Sequence, residues 1–182
     1  MTKNNIAGIL LIGGPSTGKS TTLFALEQKG FKCLPEIARE VTIEAQNKGI
    51  DQLFVSQPLL FSEMLLDGRI KQHQEALENL PKISFIDRGI PDILAYLRFS
   101  KSEIPSLFEE ACQKHKYQKV FHFPIWDEIY VQDGERYESL EQAKIIDAYL
   151  ISTYKNFGYE IIEVPKDSIE NRCNFIIEQT QI

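Results

Sequence analysis

The stretch of sequence that decides the fold lies near the amino terminus and reads Gly13-Gly14-Pro15-Ser16-Thr17-Gly18-Lys19-Ser20. It has the spacing G-x-x-x-x-G-K-[ST], which is typical of a phosphate-binding loop between a strand and a helix. Residues 6–12 before it form an apolar run of strand length, and the residues after it have apolar side chains at helical spacing. This order predicts that several backbone N–H groups of the loop surround one anion.

A loop of this kind binds the phosphates of a nucleoside triphosphate. We expect the Lys19 side chain to reach the β- and γ-phosphates and the Ser20 hydroxyl to ligate Mg²⁺. The segment 47–51 is similar to the guanine-reading motif N-K-x-D, but it is one residue too long and follows the second predicted helix. The sequence therefore favours ATP over GTP.

Size and composition indicate one globular domain. The chain has 182 residues, a hydrophobic content of 43% and a net charge of −6. This length fits a single domain over residues 1–182 with a small lid, and the negative charge argues against nucleic acid as a partner. The three cysteines are far apart, which favours reduced thiols, and no apolar run reaches the roughly 18 residues of a membrane span. We expect a cytoplasmic protein, and its oligomeric state stays open.

Short β-like runs alternate with longer helical ones along the whole chain. Strands are predicted at about 6–12, 31–34, 82–87, 119–123 and 159–164. Helices are predicted at about 19–29, 37–48, 57–79, 90–100, 105–116, 139–157 and 168–179. This alternation predicts an α/β fold of three layers, with a five-stranded parallel sheet between helices. Ligands of such sheets bind at the carboxyl ends of the strands.

An acidic residue ends the third predicted strand. Asp87 follows the apolar residues of that strand, where an aspartate holds Mg²⁺ in many phosphate-binding loop proteins. Arg88 comes next and is a candidate for positioning the acceptor or its phosphate, and Asp92 lies one turn further as a candidate substrate contact. The structural alternatives are a helix N-cap for Asp87 and a surface charge for Arg88.

A second acidic residue, Glu36, follows the second predicted strand. A carboxylate there can accept the proton of a hydroxyl that attacks the γ-phosphorus. Arg39, one helical turn on, is a candidate for holding Glu36 ionised or for contacting a substrate phosphate. The structural alternative for Glu36 is an acidic residue that the helix dipole favours in a first turn.

Residues 124–138 follow the fourth predicted strand and are polar, aromatic and irregular. We predict that they form a lid over the phosphates. Arg136 is a candidate for stabilising charge on the transferred phosphoryl group. Trp126, Tyr130 and Tyr137 are candidates for stacking on a base or ribose, or for packing under the lid.

Several motifs in this order resemble an AAA-type P-loop ATPase family that includes the ribosylnicotinamide kinase domains of NadR-like proteins. The motifs are the loop at 13–21 and the segments 35–40, 85–92, 132–138 and 158–165. The resemblance spans about residues 7–177. It implies a nucleoside-kinase-like fold with strand order 2-3-1-4-5, ATP phosphates bound by residues from Gly13 to Thr21, and an Asp87 that serves Mg²⁺. The chain is more distantly similar to deoxynucleoside kinases, which have an acid-Arg-Ser sequence where this chain has Gly89 in third place.

Two hypotheses of function follow. The first is a phosphotransferase that moves the γ-phosphate of ATP to a hydroxyl of a nucleoside-like small molecule, with Lys19, Glu36, Asp87, Arg88 and Arg136 as catalytic candidates. The second is a regulatory ATPase or GTPase whose segments near 49–58 and 124–138 report the nucleotide to a protein partner.

Overall fold

A parallel sheet of five strands forms the centre of the computed structural model, which describes residues 6–50, 53–129 and 139–180. The strands are β1 Ile9–Ile12, β2 Lys32–Leu34, β3 Ser84–Asp87, β4 Lys119–His122 and β5 Ile161–Glu163. Their order is β2-β3-β1-β4-β5, and all neighbouring pairs are parallel. The predicted fold class and strand order are therefore confirmed.

Helices connect the strands and are close to the predicted segments. They are α1 Lys19–Gln28, α2 Ala38–Asn47, α3 Leu53–Ser56, α4 Pro58–Glu78, α5 Ile90–Phe99, α6 Ser106–Lys114, α7 Leu140–Asn156 and α8 Ile169–Thr180. The short helix α3 was not predicted, because four residues are too few to establish a helical period. A 3-10 turn at Asp127–Ile129 occupies part of the segment that we predicted to be irregular.

Alternation along β1 explains the three layers. Ile9 and Leu11 belong to a buried cluster with residues of α1 and α8, whereas Leu10 and Ile12 belong to one that includes Tyr154 of α7. Successive side chains of a strand point to opposite faces, so a strand that is buried on both faces must be apolar throughout. No helix among the described residues is long and apolar enough to cross a membrane.

The register of the sheet brings the candidate site residues to one edge. Leu34 of β2 pairs with Ile86, and Leu11 of β1 pairs with Asp87. The phosphate-binding loop follows β1, and Glu36 follows β2 by two residues. Because all the strands are parallel, these groups meet at the carboxyl edge of the sheet.

Candidate active site

The phosphate-binding loop leaves β1 through a glycine that no other residue could replace without strain. Gly13 has φ +141, and a Cβ there would lie 2.4 Å from the carbonyl oxygen of Phe123. The Thr17 hydroxyl donates to the carbonyl of Gly14 at 3.0 Å and fixes the loop from within. Helix α1 then begins at Lys19, after Gly18. The loop therefore presents its backbone at the amino end of α1, where the helix dipole favours anions.

The ammonium of Lys19 lies inside this loop. Its Nζ donates to the carbonyls of Gly13 and Gly14 at 2.9 and 2.7 Å and to Thr17 Oγ1 at 3.2 Å. Burial and, after it, the nearby Arg88 charge lower the pKa of Lys19 to about 8, although the Asp87 carboxylate opposes the shift. A bound phosphate would restore a full counter-charge to this ammonium.

Asp87 and Ser20 form an oxygen-rich corner beside the loop. The Ser20 hydroxyl donates to Oδ2 of Asp87 at 3.2 Å, and Asp87 is 3% exposed. Oδ1 of Asp87 has no hydrogen-bond partner among the described residues. Burial raises the pKa of Asp87, although Lys19 and Arg88 oppose the shift. A buried carboxylate oxygen without a partner, next to a hydroxyl, fits the oxygen preference of Mg²⁺.

Glu36 is held from two sides. Its Oε1 accepts from the backbone N–H groups of Ile37 and Ala38 at 2.9 and 3.0 Å, at the start of α2. Its Oε2 lies 2.6 Å from Nε of Arg88, and Nη2 of Arg69 lies 3.4 Å from Oε1. Burial would raise the pKa of Glu36, but the two guanidinium groups and the Ala38 N–H outweigh it, so the pKa is lowered. Glu36 is therefore an ionised hydrogen-bond acceptor at neutral pH.

The backbone of Arg88 turns its side chain toward Glu36. Arg88 has φ +69, in the left-handed region that non-glycine residues rarely adopt, and its N–H donates to the carbonyl of Leu11 at 3.0 Å. Its Nη1 donates to the Tyr96 hydroxyl at 3.0 Å, and the guanidinium lies 5.4 Å from the centre of the Tyr96 ring. Backbone strain of this kind is concentrated at functional sites.

Arg69 was missed by the sequence analysis. It lies on α4, is 4% exposed, and donates from Nη1 to the carbonyl of Gly89 at 2.5 Å. A signal was available, because Leu65, Leu66 and Ala76 mark one helical face. The positions at helical spacing between them are polar: Arg69, Gln72 and His73, all of which are buried. Polar residues on a buried face must have partners, which makes them site candidates.

Two of the remaining predicted residues, Asp92 and Arg39, lie among the described residues. Asp92 is fully buried, and its Oδ2 accepts from the Gly89 N–H at 2.8 Å and from the Tyr154 hydroxyl at 2.5 Å. In this structure Asp92 therefore supports the turn between β3 and α5, and its role as a substrate contact stays a prediction. Arg39 is exposed on α2. Arg136 and the rest of the predicted lid from 130 to 138 lie outside the described residues.

The sequence of residues 8–172 matches the family described as AAA domain. The match spans most of the chain, so the chain belongs to this family, as the motifs indicated. No curated protein matches the chain in sequence.

Solved structures of kinases share the fold. Deoxyadenosine kinase from M. mycoides, described with products dCMP and dCDP bound, superposes with a TM-score of 0.69 at 14% identity, covering 94% of this chain and 97% of that one. Thymidylate kinase from Candida albicans gives 0.67 at 20% identity, covering 96% and 90%. NadR in complex with NAD and AMP-PNP gives 0.73 at 15% identity, covering 97% of this chain but only 50% of the NadR chain. At these identities the likeness establishes the fold.

Proposed function

We propose that the chain is an ATP-dependent kinase that transfers the γ-phosphate to a hydroxyl of a small, nucleoside-like acceptor. The observation that carries the proposal is the Glu36 carboxylate, which is held between Arg69 and Arg88 at the same sheet edge as Lys19 and Asp87. A phosphate-binding loop alone would serve hydrolysis equally well. A fixed, ionised carboxylate beside it provides a place for a hydroxyl group.

The ATP side of the site is formed by the loop from Gly13 to Thr21. Its backbone N–H groups and the Lys19 ammonium would hold the phosphates, and Arg136 stays the candidate for neutralising charge on the transferred group. Ser20 and Asp87 would hold Mg²⁺, which when bound neutralises charge on the β- and γ-phosphates.

On the acceptor side, Glu36 would accept a hydrogen bond from the acceptor hydroxyl and orient its oxygen toward the γ-phosphorus. A bond forms between that oxygen and phosphorus, the bond to the ADP oxygen breaks, and the hydroxyl proton passes to Glu36. Because the pKa of Glu36 is lowered, this proton moves only as the new bond forms. Arg88 positions Glu36, and Arg39 stays a candidate contact of the substrate.

The hydrogen bonds of the two arginines favour a hydroxyl over a phosphate as acceptor. Arg88 is engaged by Glu36 and by the Tyr96 hydroxyl, and Arg69 is engaged by Glu36 and by the carbonyl of Gly89. An acceptor phosphate would have to displace the Glu36 carboxylate and would be repelled by it. This argues for the nucleoside class over the nucleoside monophosphate class.

The test is ADP release from Mg-ATP against a panel of nucleosides, including nicotinamide riboside, and the matching monophosphates. Lys19→Ala serves as the blank. We expect stimulation by a nucleoside, and a loss of at least about a hundredfold in kcat for Glu36→Gln. Glu40→Gln is the matched control, because Glu40 is an exposed carboxylate in the first turn of α2.

Two outcomes would contradict the proposal. Full activity of Glu36→Gln would remove the assigned role of the carboxylate. Slow ADP release that no acceptor stimulates, but that Lys19→Ala abolishes, would favour the regulatory ATPase, whose nucleotide state is read by a protein partner.

A further inference from the structure

An arginine from the last helix contacts the phosphate-binding loop from outside. Arg172 lies in the first turn of α8, and its Nη1 donates to the carbonyl of Thr17 at 3.2 Å. Its Nε donates to the carbonyl of Asp167 at 2.8 Å. The residue is only 5% exposed. A long cation has thus been buried against the loop, 155 residues away in sequence.

This placement is unfavourable for the helix itself. The amino end of a helix carries a positive partial charge, so acidic residues are favoured there and cations are disfavoured. Burial also lowers the pKa of Arg172, although Asp167 opposes the shift. Neither the helix dipole nor burial stabilises an arginine at this position, so the contacts of its guanidinium must explain its placement.

The contact with Thr17 determines the direction of a neighbouring N–H group. In a planar trans peptide the C=O and N–H bonds point in opposite directions. The carbonyl of Thr17 and the N–H of Gly18 belong to one peptide, so a donor that holds the carbonyl outside the loop turns that N–H toward its interior. The interior is the side on which Lys19 Nζ meets the carbonyls of Gly13 and Gly14.

The close approach of Arg172 also depends on Gly18, the second fixed glycine of the phosphate-binding motif. Gly18 has φ +85, and a Cβ there would lie 2.6 Å from Nη1 of Arg172. The guanidinium therefore fills space that is free only because residue 18 lacks a side chain. The contact is part of the loop's packing and not a chance approach on the surface.

The guanidinium of Arg172 also lies over the ring of Trp126. The central carbon of the Arg172 guanidinium lies 4.8 Å from the ring centre of Trp126, within the range of a cation–π contact. Trp126 follows β4 and directly precedes the 3-10 turn. By shielding the guanidinium from water, the indole strengthens its hydrogen bond to the loop.

We propose that Arg172 is a positioning residue for nucleotide binding, which holds the Thr17–Gly18 peptide so that the Gly18 N–H faces the phosphates, with Trp126 as its cover. This inference rests on the nucleotide-binding half of the proposed function and needs no acceptor. It also makes Trp126, the single tryptophan of the chain, a reporter of the nucleotide site.

The test is the affinity of the purified protein for Mg-AMP-PNP, measured by calorimetry and by Trp126 fluorescence. We expect Arg172→Ala to weaken binding at least about tenfold, the range of one hydrogen bond from a charged donor. The KM for ATP should rise by the same factor, while the KM for the acceptor stays unchanged. Arg172→Lys keeps the charge but cannot hold both carbonyls, and we expect it to bind more weakly than wild type.

Arg98→Ala is the matched control. Arg98 also bridges two parts of the chain, through the Thr153 hydroxyl at 3.0 Å and the Glu109 carboxylate at 3.7 Å. We expect it to lose stability without losing nucleotide affinity. If Arg172→Ala does not fold, the same comparison is decided by Arg172→Lys.

A folded Arg172 variant that binds Mg-AMP-PNP as tightly as wild type would overturn the inference and leave the proposed kinase untouched. Wild-type protein that binds no nucleotide would overturn the nucleotide site itself, and this inference with it. Wild-type protein that binds nucleotide but phosphorylates no acceptor would contradict the proposed kinase alone. The weaker binding of Arg172→Ala would then still support the inference.

Discussion

Replacing Arg69 by methionine removes a buried charge from the centre of the site while keeping a side chain of similar length. Nη2 of Arg69 lies 3.4 Å from Oε1 of Glu36, and Nη1 donates to the carbonyl of Gly89. The substitution therefore leaves a carboxylate and a buried carbonyl each with one donor fewer. Both losses should appear as a lower free energy of unfolding.

The magnitude follows from the geometry. Two unit charges 3.4 Å apart attract by about 5 kcal/mol at an effective dielectric constant of about 20. Part of this attraction only offsets the cost of burying the guanidinium, and removing one partner of a buried pair typically costs about 3–5 kcal/mol. Glu36 keeps Arg88 at 2.6 Å, so we expect the lower end of that range, about 3 kcal/mol.

The assay is urea unfolding of four proteins: wild type, Arg69→Met, Glu36→Gln and the double variant. Because the two side chains interact directly, the double variant should lose less stability than the sum of the single losses, by at least about 1 kcal/mol. Arg98→Met is the control for removing an arginine at a more exposed pair, and should cost about 1 kcal/mol or less. Additive losses, within about 0.5 kcal/mol, would refute the coupling of Arg69 to Glu36.

Three further predictions concern the loop and the turn after β3. The Kd for Mg-ATP should rise as the pH is raised above about 8, because Lys19 of the free protein has a pKa of about 8 and binds phosphate best when it is protonated. A constant Kd from about pH 7 to about pH 10 would contradict this prediction. Gly18→Ala should lower the free energy of unfolding by about 1–2 kcal/mol in urea and should weaken nucleotide binding in calorimetry. Gly30→Ala is the control, because Gly30 also has a positive φ (+91) but has open space around it; this variant should lose stability and keep its nucleotide affinity. Tyr154→Phe should lose about 1–3 kcal/mol in urea unfolding, because the buried Asp92 carboxylate loses a hydroxyl donor; an unchanged midpoint would contradict it.

Residues that follow a strand could be located from the sequence. Asp87 ends an apolar run and Glu36 follows another, and in a parallel sheet such residues converge at one edge. The phosphate-binding loop at 13–20 could be identified from the spacing of its own residues. These predictions depend on local order along the chain, which a single sequence records directly.

Residues that reach the site from a helix distant in sequence could not be located in this way. Arg69 meets Glu36 across 33 residues, and Arg172 meets Thr17 across 155. Nothing in the neighbouring sequence names the partner of either arginine. What the sequence does record is a cost: a polar residue on an apolar helical face, and a cation in the first turn of a helix. Such unfavourable placements indicate that the residue has a special role, but only the folded structure identifies the group that it contacts.

The same reasoning explains why the chain has Gly89 where the deoxynucleoside kinase pattern has serine. Its φ of −126 is open to any residue, so the backbone does not require glycine. A Cβ there, however, would lie 2.5 Å from Cδ1 of Leu10 and 2.8 Å from the Tyr154 hydroxyl. That hydroxyl is held by Asp92, which also binds the Gly89 N–H, while Arg69 binds the Gly89 carbonyl. The side chains that stabilise the turn after β3 therefore leave no room for a Cβ at residue 89. This turn also orients the side chain of Arg88 toward Glu36. The packing that positions Glu36 therefore explains why residue 89 is glycine, and this difference from the deoxynucleoside kinase pattern is no argument against a hydroxyl acceptor.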